Sequence, residues 1–165
     1  MTAAFIALGS NLTPEDNLHA ALRLLRRRMT IAALSRVYRT PPWGYADQPP
    51  FLNAVARAET DLPPEALLDA LQAVEAECGR VRDPAVRYGP RTLDLDLLAV
   101  GAALLDTERL TLPHPRMHER AFVLLPLCDL APDWVHPRLG LTARVLLART
   151  DRTGIEEVAW DWEVR

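Results

Sequence analysis

Residues 87–98 read Arg87-Tyr88-Gly89-Pro90-Arg91-Thr92-Leu93-Asp94-Leu95-Asp96-Leu97-Leu98, a turn that leads into an alternating run of leucine and aspartate. Successive side chains of a strand point to opposite faces and lie about 3.3 Å apart along the chain. Asp94 and Asp96 therefore share one face, with their carboxylates roughly 6–7 Å apart. The leucines of the run pack on the other face. The pattern predicts a strand that is buried on one side and carries two acids on the other.

The acid pair indicates a magnesium site. Two like charges this close repel each other unless a cation lies between them. Mg²⁺ typically takes one or two carboxylates and completes its shell with water and substrate phosphates. Arginines, which grip phosphate oxygens bidentately, stand nearby. They are Arg80, Arg82, Arg87 and Arg91. Acids that can bind a metal, beside arginines that can bind phosphates, favour phosphoryl transfer. A bare Asp-x-Asp pair, in contrast, more often belongs to the solvent-exposed face of a strand.

Length and composition indicate a globular protein with one domain over residues 1–165. The chain is 49% hydrophobic and 25% charged, which suits a sizeable core. It has no apolar run of about 18 residues, so we expect no membrane span. The net charge of −3 argues against nucleic-acid binding. We expect a monomer that acts on small molecules.

The cysteines and the absence of lysine set further bounds. Cys78 and Cys128 lie outside any Cys-x-x-Cys motif, and the start of the chain lacks the basic region of a signal peptide. We therefore expect reduced thiols and a cytoplasmic location. Every basic residue apart from the histidines is arginine, so the lysine of a phosphate-binding P-loop is excluded. If the protein binds ATP, it uses another scaffold.

The predicted elements follow the order strand, helix, strand, strand, helix, strand. This is the α+β, ferredoxin-like βαββαβ plan, with an added hairpin and C-terminal helices after it. The predicted strands are 3–9, 31–39, 51–59 and 92–100, with helices starting at Thr13-Pro14 and Pro63-Pro64, a hairpin of 103–105 with 109–112, helices over 115–130 and 141–149, and a last strand over 155–160.

Residues 87–98 resemble the signature of the 6-hydroxymethyl-7,8-dihydropterin pyrophosphokinase family of folate biosynthesis. That signature is a basic residue, x-Gly-Pro-Arg, two variable positions, Asp-aliphatic-Asp and two aliphatic residues. The resemblance covers nearly the whole chain up to about residue 150. It extends through Gly9-Ser10-Asn11, Tyr38-Arg39-Thr40-Pro41-Pro42, Phe51-Leu52-Asn53 and Leu110-Thr111-Leu112-Pro113-His114. It implies diphosphate transfer from ATP, as co-substrate, to the pterin hydroxymethyl group, with two Mg²⁺ ions and release of AMP.

The resemblance also implies a role for each candidate residue. The catalytic residues are Arg80, Arg91, Asp94 and Asp96, and the two aspartates bind the metal. The ATP-binding residues are Gln72, Glu75, Arg80, Arg82, Arg87, Tyr88, Arg91, Leu97, Arg109, Thr111, His114 and Arg120. The pterin-binding residues are Thr40, Pro41, Trp43, Phe51, Asn53, Asp94 and Phe122.

Some of these residues have plainer readings when taken alone. Gln72 and Glu75 lie one turn apart, as expected on an exposed helix face. His114 and His118 are four apart, but a histidine pair without a third ligand is weak support for zinc.

The pterin pocket rests on residue types that suit a flat, hydrogen-bonding ring. Phe51 and Phe122 can sandwich such a ring, although each alone is more often a core residue. Asn53 offers both a donor and an acceptor to a heterocycle edge.

Two other functions compete with diphosphate transfer. A ferredoxin-like RNA-binding module would need a basic sheet with exposed aromatic residues. A phosphohydrolase would keep the metal site but need no pterin pocket.

Overall fold

The computed structural model describes residues 1–41, 48–79 and 93–163. The elements in chain order are β1 (Thr2–Ser10), α1 (Pro14–Arg26), β2 (Thr30–Leu34), β3 (Val37–Thr40), β4 (Phe51–Thr60), α2 (Pro64–Glu77), β5 (Asp94–Val100), β6 (Leu105–Asp106), β7 (Thr111–Leu112), a 3₁₀ turn (Met117–Glu119), α3 (Ala121–Leu130), α4 (Ala143–Ala148) and β8 (Glu156–Val158).

The central sheet is antiparallel and has the order β5-β1-β4-β3-β8, with β2 also paired to β4. β1, α1, the β2–β3 pair, β4, α2 and β5 follow one another in the ferredoxin-like order. The prediction of an α+β, ferredoxin-like fold is therefore confirmed. Strands β6 and β7 form the added hairpin, and α3 and α4 are the added helices.

One face of the sheet packs on α1 and α2. This face carries the alternate, apolar residues of each strand, which explains why Leu95 and Leu97 of β5 are buried. Helices α1 and α2 supply leucine and valine at helical spacing to the same core. The principal members are Ala4, Ile6, Leu8, Leu18, Leu25, Ala54, Ala56, Leu67, Leu71, Val74, Leu93, Leu95 and Leu97.

Helices α3 and α4 cover part of the opposite face. Phe5 and Leu98 from the sheet pack with Leu124 and Leu127 of α3. Nearer the ends of β1 and β5 this face carries polar side chains, and α3 begins there. The sheet face beyond the start of α3 is where the candidate site forms.

The segment predicted as one strand over 31–39 is two strands, so that prediction was wrong in detail. Between β2 and β3, the N–H of Ser35 donates to the Val55 carbonyl oxygen at 2.9 Å. The Ser35 hydroxyl oxygen accepts from the Val55 N–H at 2.8 Å. The β2–β3 side carries one residue more than β4 across this point, so the strand is bulged.

Of two predicted helix starts, one matches the structure and one does not. Helix α1 begins at Pro14 as expected, but Thr13 has φ of 41° and makes no side-chain cap. Helix α3 begins at Ala121, not near 115. The preceding residues are held by His114, whose ring Nδ1 accepts from the Arg116 N–H at 3.1 Å. A side chain that binds its own downstream backbone competes with helix formation.

The remaining elements match the predictions with small changes at their ends. Strand β8 occupies 156–158 and α4 occupies 143–148. Helix α4 is capped by Thr142, whose hydroxyl oxygen accepts from the Val145 N–H at 3.2 Å. Cys78 and Cys128 are free thiols. No helix within the described residues is long and apolar enough to cross a membrane.

Candidate active site

A row of paired residues crosses three strands at one end of the sheet. Gly9 of β1 pairs with Asp94 of β5 on one side and with Asn53 of β4 on the other. Directly opposed residues in an antiparallel sheet present their side chains on one face. Asp94 and Asn53 therefore flank a position that has no side chain. This gap is the floor of a cavity.

The first cavity has a volume of about 290 Å³. It contains six of the seven residues predicted to bind pterin. They are Thr40, Pro41, Phe51, Asn53, Asp94 and Phe122. Phe51 comes from β4 and Phe122 from the first turn of α3, so the sheet and the added helix each supply one aromatic ring. Arg120 also lines this cavity, although it was predicted to bind ATP.

Two contacts orient side chains in the first cavity. The Asn53 amide nitrogen donates to the Thr40 hydroxyl oxygen at 2.8 Å, which turns the amide oxygen toward Gly9. The Arg120 guanidinium carbon lies 5.6 Å from the centre of the Phe122 ring, within cation–π range. The cavity thus has an oriented amide and a supported aromatic ring, which suit a planar heterocycle.

A second cavity of about 360 Å³ lies between α2, β5 and the hairpin. It brings together six of the residues predicted to bind ATP. They are Gln72, Glu75, Leu97, Arg109, Thr111 and His114. Arg109 is engaged by two acids of α2: its guanidinium donates to Glu65 at 2.9 Å and to Asp69 at 2.6 Å.

Asp94, Asp96 and His114 line both cavities. A ligand in each cavity would meet the other at these three side chains. The two carboxylates are hard oxygen donors, and Mg²⁺ needs only one or two of them when water and phosphates fill the remaining positions. Within the described residues no group of three or more His, Cys, Asp or Glu side chains is arranged for a metal. The two carboxylates by themselves fit Mg²⁺ that is held jointly with phosphates.

His114 is positioned by a bulge in β5. The pairing of β1 with β5 shifts by one residue between Phe5 and Ile6, which leaves Leu98 as the extra residue. The Leu98 carbonyl oxygen accepts from the His114 N–H at 2.8 Å. Bulges near active sites re-aim the chain in this way. Here the bulge brings the histidine beside the acids.

His114 is a neutral hydrogen-bond donor at pH 7. Burial lowers the pKa of its imidazole to about 4, and the positive charge of Arg120 adds to that effect, while Asp94 opposes it. Since Nδ1 accepts from the Arg116 N–H, the ring proton is on Nε2. A neutral N–H next to two carboxylates can bind a phosphate oxygen without competing with a metal for the acids.

The structure shows how the side chains of Gln72, Glu75, His114 and His118 are placed. An exposed face is correct for Gln72 and wrong for Glu75, which is 3% exposed. The carboxylate of Glu75 accepts from the Leu95 N–H at 2.9 Å. Neither His114 nor His118 belongs to a three-ligand metal group within the described part of the chain.

Some predicted residues lie outside the described residues, and their roles stay predictions. They are Trp43, Arg80, Arg82, Arg87, Tyr88 and Arg91. Conversely, Gly9 lines the first cavity but was not among the predicted site residues. A glycine inside a strand often marks a close approach of a ligand or another chain segment, and that signal was available.

Comparison with known proteins identifies the family. Residues 5–132 match the family model for 7,8-dihydro-6-hydroxymethylpterin-pyrophosphokinase, or HPPK. The chain belongs to the HPPK family. It is therefore an ATP-dependent pyrophosphokinase of folate synthesis, as the resemblance of residues 87–98 implied.

Similar curated proteins share the name 2-amino-4-hydroxy-6-hydroxymethyldihydropteridine pyrophosphokinase. The Pseudomonas aeruginosa protein is 51% identical over 157 residues, which are 93% of this chain and 95% of that protein. The Bacillus subtilis protein is 41% identical over 155 residues, which are 92% of this chain and 87% of that protein.

A Plasmodium falciparum HPPK-DHPS crystal structure has a similar fold, with a TM-score of 0.71 at 15% identity. The match covers 89% of this chain and 45% of that longer chain, so this HPPK family member spans less than half of its length. At this identity the likeness supports the fold.

Proposed function

We propose that the HPPK reaction takes place where the two cavities meet, at Asp94, Asp96 and His114. The reaction transfers diphosphate from ATP to the hydroxymethyl group of 6-hydroxymethyl-7,8-dihydropterin and releases AMP, a step of tetrahydrofolate biosynthesis. The observation that supports this location is that these three side chains line both cavities. A transfer between two bound substrates requires their reacting atoms to be held close together.

The first cavity binds the pterin. Phe51 and Phe122 stack on the ring, and the Asn53 amide, oriented by Thr40, pairs with a polar edge of it. Pro41 adds a rigid wall. Trp43 is also assigned to pterin binding, by resemblance. The hydroxymethyl group points toward Asp94, which belongs to both cavities. A water hydrolysing ATP would need no such aromatic cavity, so this arrangement favours transfer over hydrolysis.

The second cavity binds the nucleotide. Leu97 offers apolar contact, while Gln72 and Thr111 offer polar contact. Arg109 exchanges its two carboxylate partners on the exposed side of α2 for the nucleotide. That exchange costs little, because surface ion pairs are worth only about 0–1 kcal/mol. His114 donates its Nε2–H to a phosphate oxygen, and Arg120 contacts the phosphates from the side of the pterin.

Asp94 and Asp96 hold two Mg²⁺ ions. When bound, these ions neutralise the charge that develops on the phosphate oxygens and orient the triphosphate for attack at the β-phosphorus. The arginines assigned by resemblance hold the phosphates and stabilise the transferred group. They are Arg80, Arg82, Arg87 and Arg91. Tyr88 contacts the nucleotide.

We extend the proposal to the whole chain as a single pyrophosphokinase domain over 1–165. Support comes from β8, which lies far along the chain and still pairs with β3 of the central sheet. We also propose a cytoplasmic monomer without a nucleic-acid partner. The free thiols of Cys78 and Cys128 and the net charge of −3 support this.

The experiment is a turnover assay with ATP, Mg²⁺ and the pterin alcohol, in which nucleotides are separated by chromatography. We expect AMP only when the pterin is present. Asp94→Asn and Asp96→Asn should each lower kcat by at least about 10³-fold, because each removes a charged ligand from the metal site. Asp133→Asn is the control, since Asp133 lies on the surface and pairs with Arg144.

Other products would point to other functions. ADP in place of AMP would indicate a simple kinase, and free phosphate without pterin would indicate a hydrolase. Full activity of either aspartate variant, with an unchanged circular dichroism spectrum, would overturn the metal assignment.

A further inference from the structure

Glu75 lies in an unusual place for a charged side chain. It is on α2, in the layer that packs against the apolar face of the sheet, and only 3% of it is exposed. Burying a carboxylate costs free energy unless hydrogen bonds compensate. One compensating bond comes from the backbone: the Leu95 N–H donates to the Glu75 Oε2 at 2.9 Å. Leu95 stands between Asp94 and Asp96.

The position of β5 explains why this bond matters. β5 lies at the end of the strand order, so β1 is its neighbour in the sheet and its other edge has no strand beside it within the described residues. In an antiparallel strand, successive N–H groups alternate between the two edges. The Leu95 N–H points to the outer edge and binds Glu75. The amides of Asp94 and Asp96 therefore face β1, where each pairs with a residue of that strand.

We propose that Glu75 is a positioning residue for the acid pair. β1 holds the inner edge of β5, and the carboxylate of Glu75 holds the outer edge at the residue between the two aspartates. Together they fix the separation and direction of the Asp94 and Asp96 side chains. Glu75 thus acts on the metal site through the backbone of Leu95, in addition to lining the nucleotide cavity. This inference rests on the proposed role of the two aspartates.

A charged acceptor is well suited to this role. Hydrogen bonds from an N–H to an ionised carboxylate are shorter and stronger than those between neutral groups. Replacing the carboxylate by an apolar side chain of similar size would leave the Leu95 N–H buried without its acceptor. Such a loss typically costs about 1–3 kcal/mol, which is roughly a five- to 150-fold change in an equilibrium. The strand edge would relax to find another partner, and the acids would move with it.

The test compares Glu75→Gln, which keeps an acceptor oxygen, with Glu75→Leu, which removes it. Glu77→Gln and Glu77→Leu are the matched controls, because Glu77 is on the same helix but exposed and paired with Arg28. Two readouts are needed: amide hydrogen exchange of Leu95 in the ligand-free protein, followed by NMR, and the Mg²⁺ concentration that gives half-maximal turnover.

We expect Glu75→Leu to speed exchange of the Leu95 amide at least about fivefold and to raise the half-saturating Mg²⁺ concentration by a similar factor. The KM for pterin should stay within about threefold of the wild-type value, since the pterin cavity is not altered. Glu75→Gln should change both readouts less than Glu75→Leu does, because its amide oxygen still accepts from the Leu95 N–H, although more weakly than a carboxylate. The Glu77 variants should leave both unchanged.

Two results would overturn the proposal. One is a Leu95 amide that exchanges at the wild-type rate in Glu75→Leu. The other is a KM for ATP that rises equally in Glu75→Gln and Glu75→Leu while the half-saturating Mg²⁺ concentration stays unchanged. That result would make Glu75 a nucleotide ligand only.

A third variant covers the case in which Glu75→Leu fails to fold. Glu75→Asp keeps the charge but is too short to reach Leu95, so it should reproduce the faster exchange and the higher half-saturating Mg²⁺ concentration. Wild-type exchange in this variant would also count against the proposal. Failure of the proposed function would look different: the wild-type protein would form no AMP, while the Leu95 amide would still depend on Glu75.

Discussion

Gly9 shows how one residue without a side chain shapes the pterin cavity. It pairs with Asp94 and Asn53, and a Cβ built on it would lie 2.9 Å from the Asn53 amide oxygen. Real Cβ atoms are essentially never that close to an oxygen, so the amide would have to turn away. Turning the amide would break its bond to Thr40.

We therefore predict that Gly9→Ala weakens pterin binding. A displaced Asn53 amide leaves its hydrogen bonds to the ring unmade, which costs about 1–3 kcal/mol, so the dissociation constant for pterin should rise at least about fivefold. Isothermal titration calorimetry with each ligand separately is the measurement. ATP affinity is the internal control and should stay near the wild-type value, because the nucleotide cavity does not include Gly9. Unchanged pterin affinity would show that Asn53 does not read the ring.

His114 gives a prediction about pH. The folded state holds the pKa of this imidazole at about 4, below its ordinary value of 6.5, because of burial and the nearby Arg120. The unfolded chain therefore takes up the proton at higher pH than the folded protein does. The stabilisation from neutral His114 is complete above pH 6.5 and is lost as the pH falls toward 4.

The corresponding measurement is urea unfolding at pH 7 and at pH 4.5 for the wild type and His114→Gln. Between these values the wild type should lose roughly 2–3 kcal/mol more than the variant, because glutamine does not titrate. Parallel loss in both proteins would contradict the lowered pKa. An NMR titration of the His114 ring should give a midpoint near pH 4.

At the residue scale, the sequence predicted the chemical types of the site residues better than it predicted which side chains are buried. The alternation of Asp94 and Asp96 with leucine was enough to predict two acids on one face and a buried opposite face. The spacing of Gln72 and Glu75 did not distinguish an exposed side chain from a buried one. Burial of Glu75 depends on the β5 backbone, which is distant in sequence.

At the scale of elements, a buried hydroxyl helps to hold the bulge between β2 and β3. The Ser35 side chain accepts from the Val55 N–H at 2.8 Å and donates to the Arg36 carbonyl oxygen at 2.7 Å. The bulge lets one continuous segment pair with β4 twice, in two registers. This places Thr40 beside Asn53 at the end of β3.

We predict that Ser35→Ala lowers the free energy of unfolding by about 1–3 kcal/mol, because the buried Val55 N–H loses its acceptor. Chemical denaturation followed by circular dichroism is the measurement. Thr30→Ala, in an exposed position of β2, is the control and should change stability by less than about 0.5 kcal/mol. An equally small change for Ser35→Ala would mean that the bulge does not depend on the hydroxyl.

The order of elements followed from the sequence because each strand and helix has a clear period and clear ends. Proline and glycine marked the start and the end of α2. The bulges did not follow, since they depend on the register with β4 and β1 and not on local propensity. The late start of α3 has the same origin, because the Leu98 carbonyl that holds His114 is supplied by β5.

At the scale of the whole molecule, residues 156–162 pack against the rest of the fold. The family match ends at residue 132, yet β8 pairs with β3, and two tryptophans after it pack on α1. The Trp160 ring stacks on His19 with 4.6 Å between centroids. The Trp162 indole N–H donates to the Ser35 carbonyl oxygen at 3.0 Å. The C-terminal segment therefore belongs to the same packed unit as the site.

Because the C-terminal segment packs with the rest of the fold, the chain should unfold in one cooperative step. Trp162→Ala should lower the free energy of unfolding by about 2 kcal/mol, which is less than the loss expected for a fully buried tryptophan. Far-ultraviolet circular dichroism and tryptophan fluorescence should give coincident denaturation curves. Two separate transitions would divide the C-terminal segment from the rest. Trp134→Phe, in the other core cluster, is a comparison that should keep the single transition.

The sequence predicted this segment only as a short strand. Its tryptophans gave no sign of their partners, because His19 and Ser35 lie more than a hundred residues earlier. The lining of the first cavity was predicted more fully, since five of the six predicted pterin-binding residues found there fall in motifs that the family resemblance covers. Asp94 was predicted for both the metal and the pterin, but the place of His114 between the two cavities was not predicted, because it depends on how the hairpin and α3 fold back on β5.

The hydrogen bond from Leu95 to Glu75 has a consequence for solubility as well as for catalysis. An unprotected outer strand can recruit a strand from another molecule and start aggregation. Here an incoming strand would find the Leu95 N–H already occupied, and it would have to displace a carboxylate beside two more acids. The charges that suit the site to magnesium therefore also discourage intermolecular sheet growth, and a Glu75→Leu protein should form amyloid-like fibres sooner than the wild type.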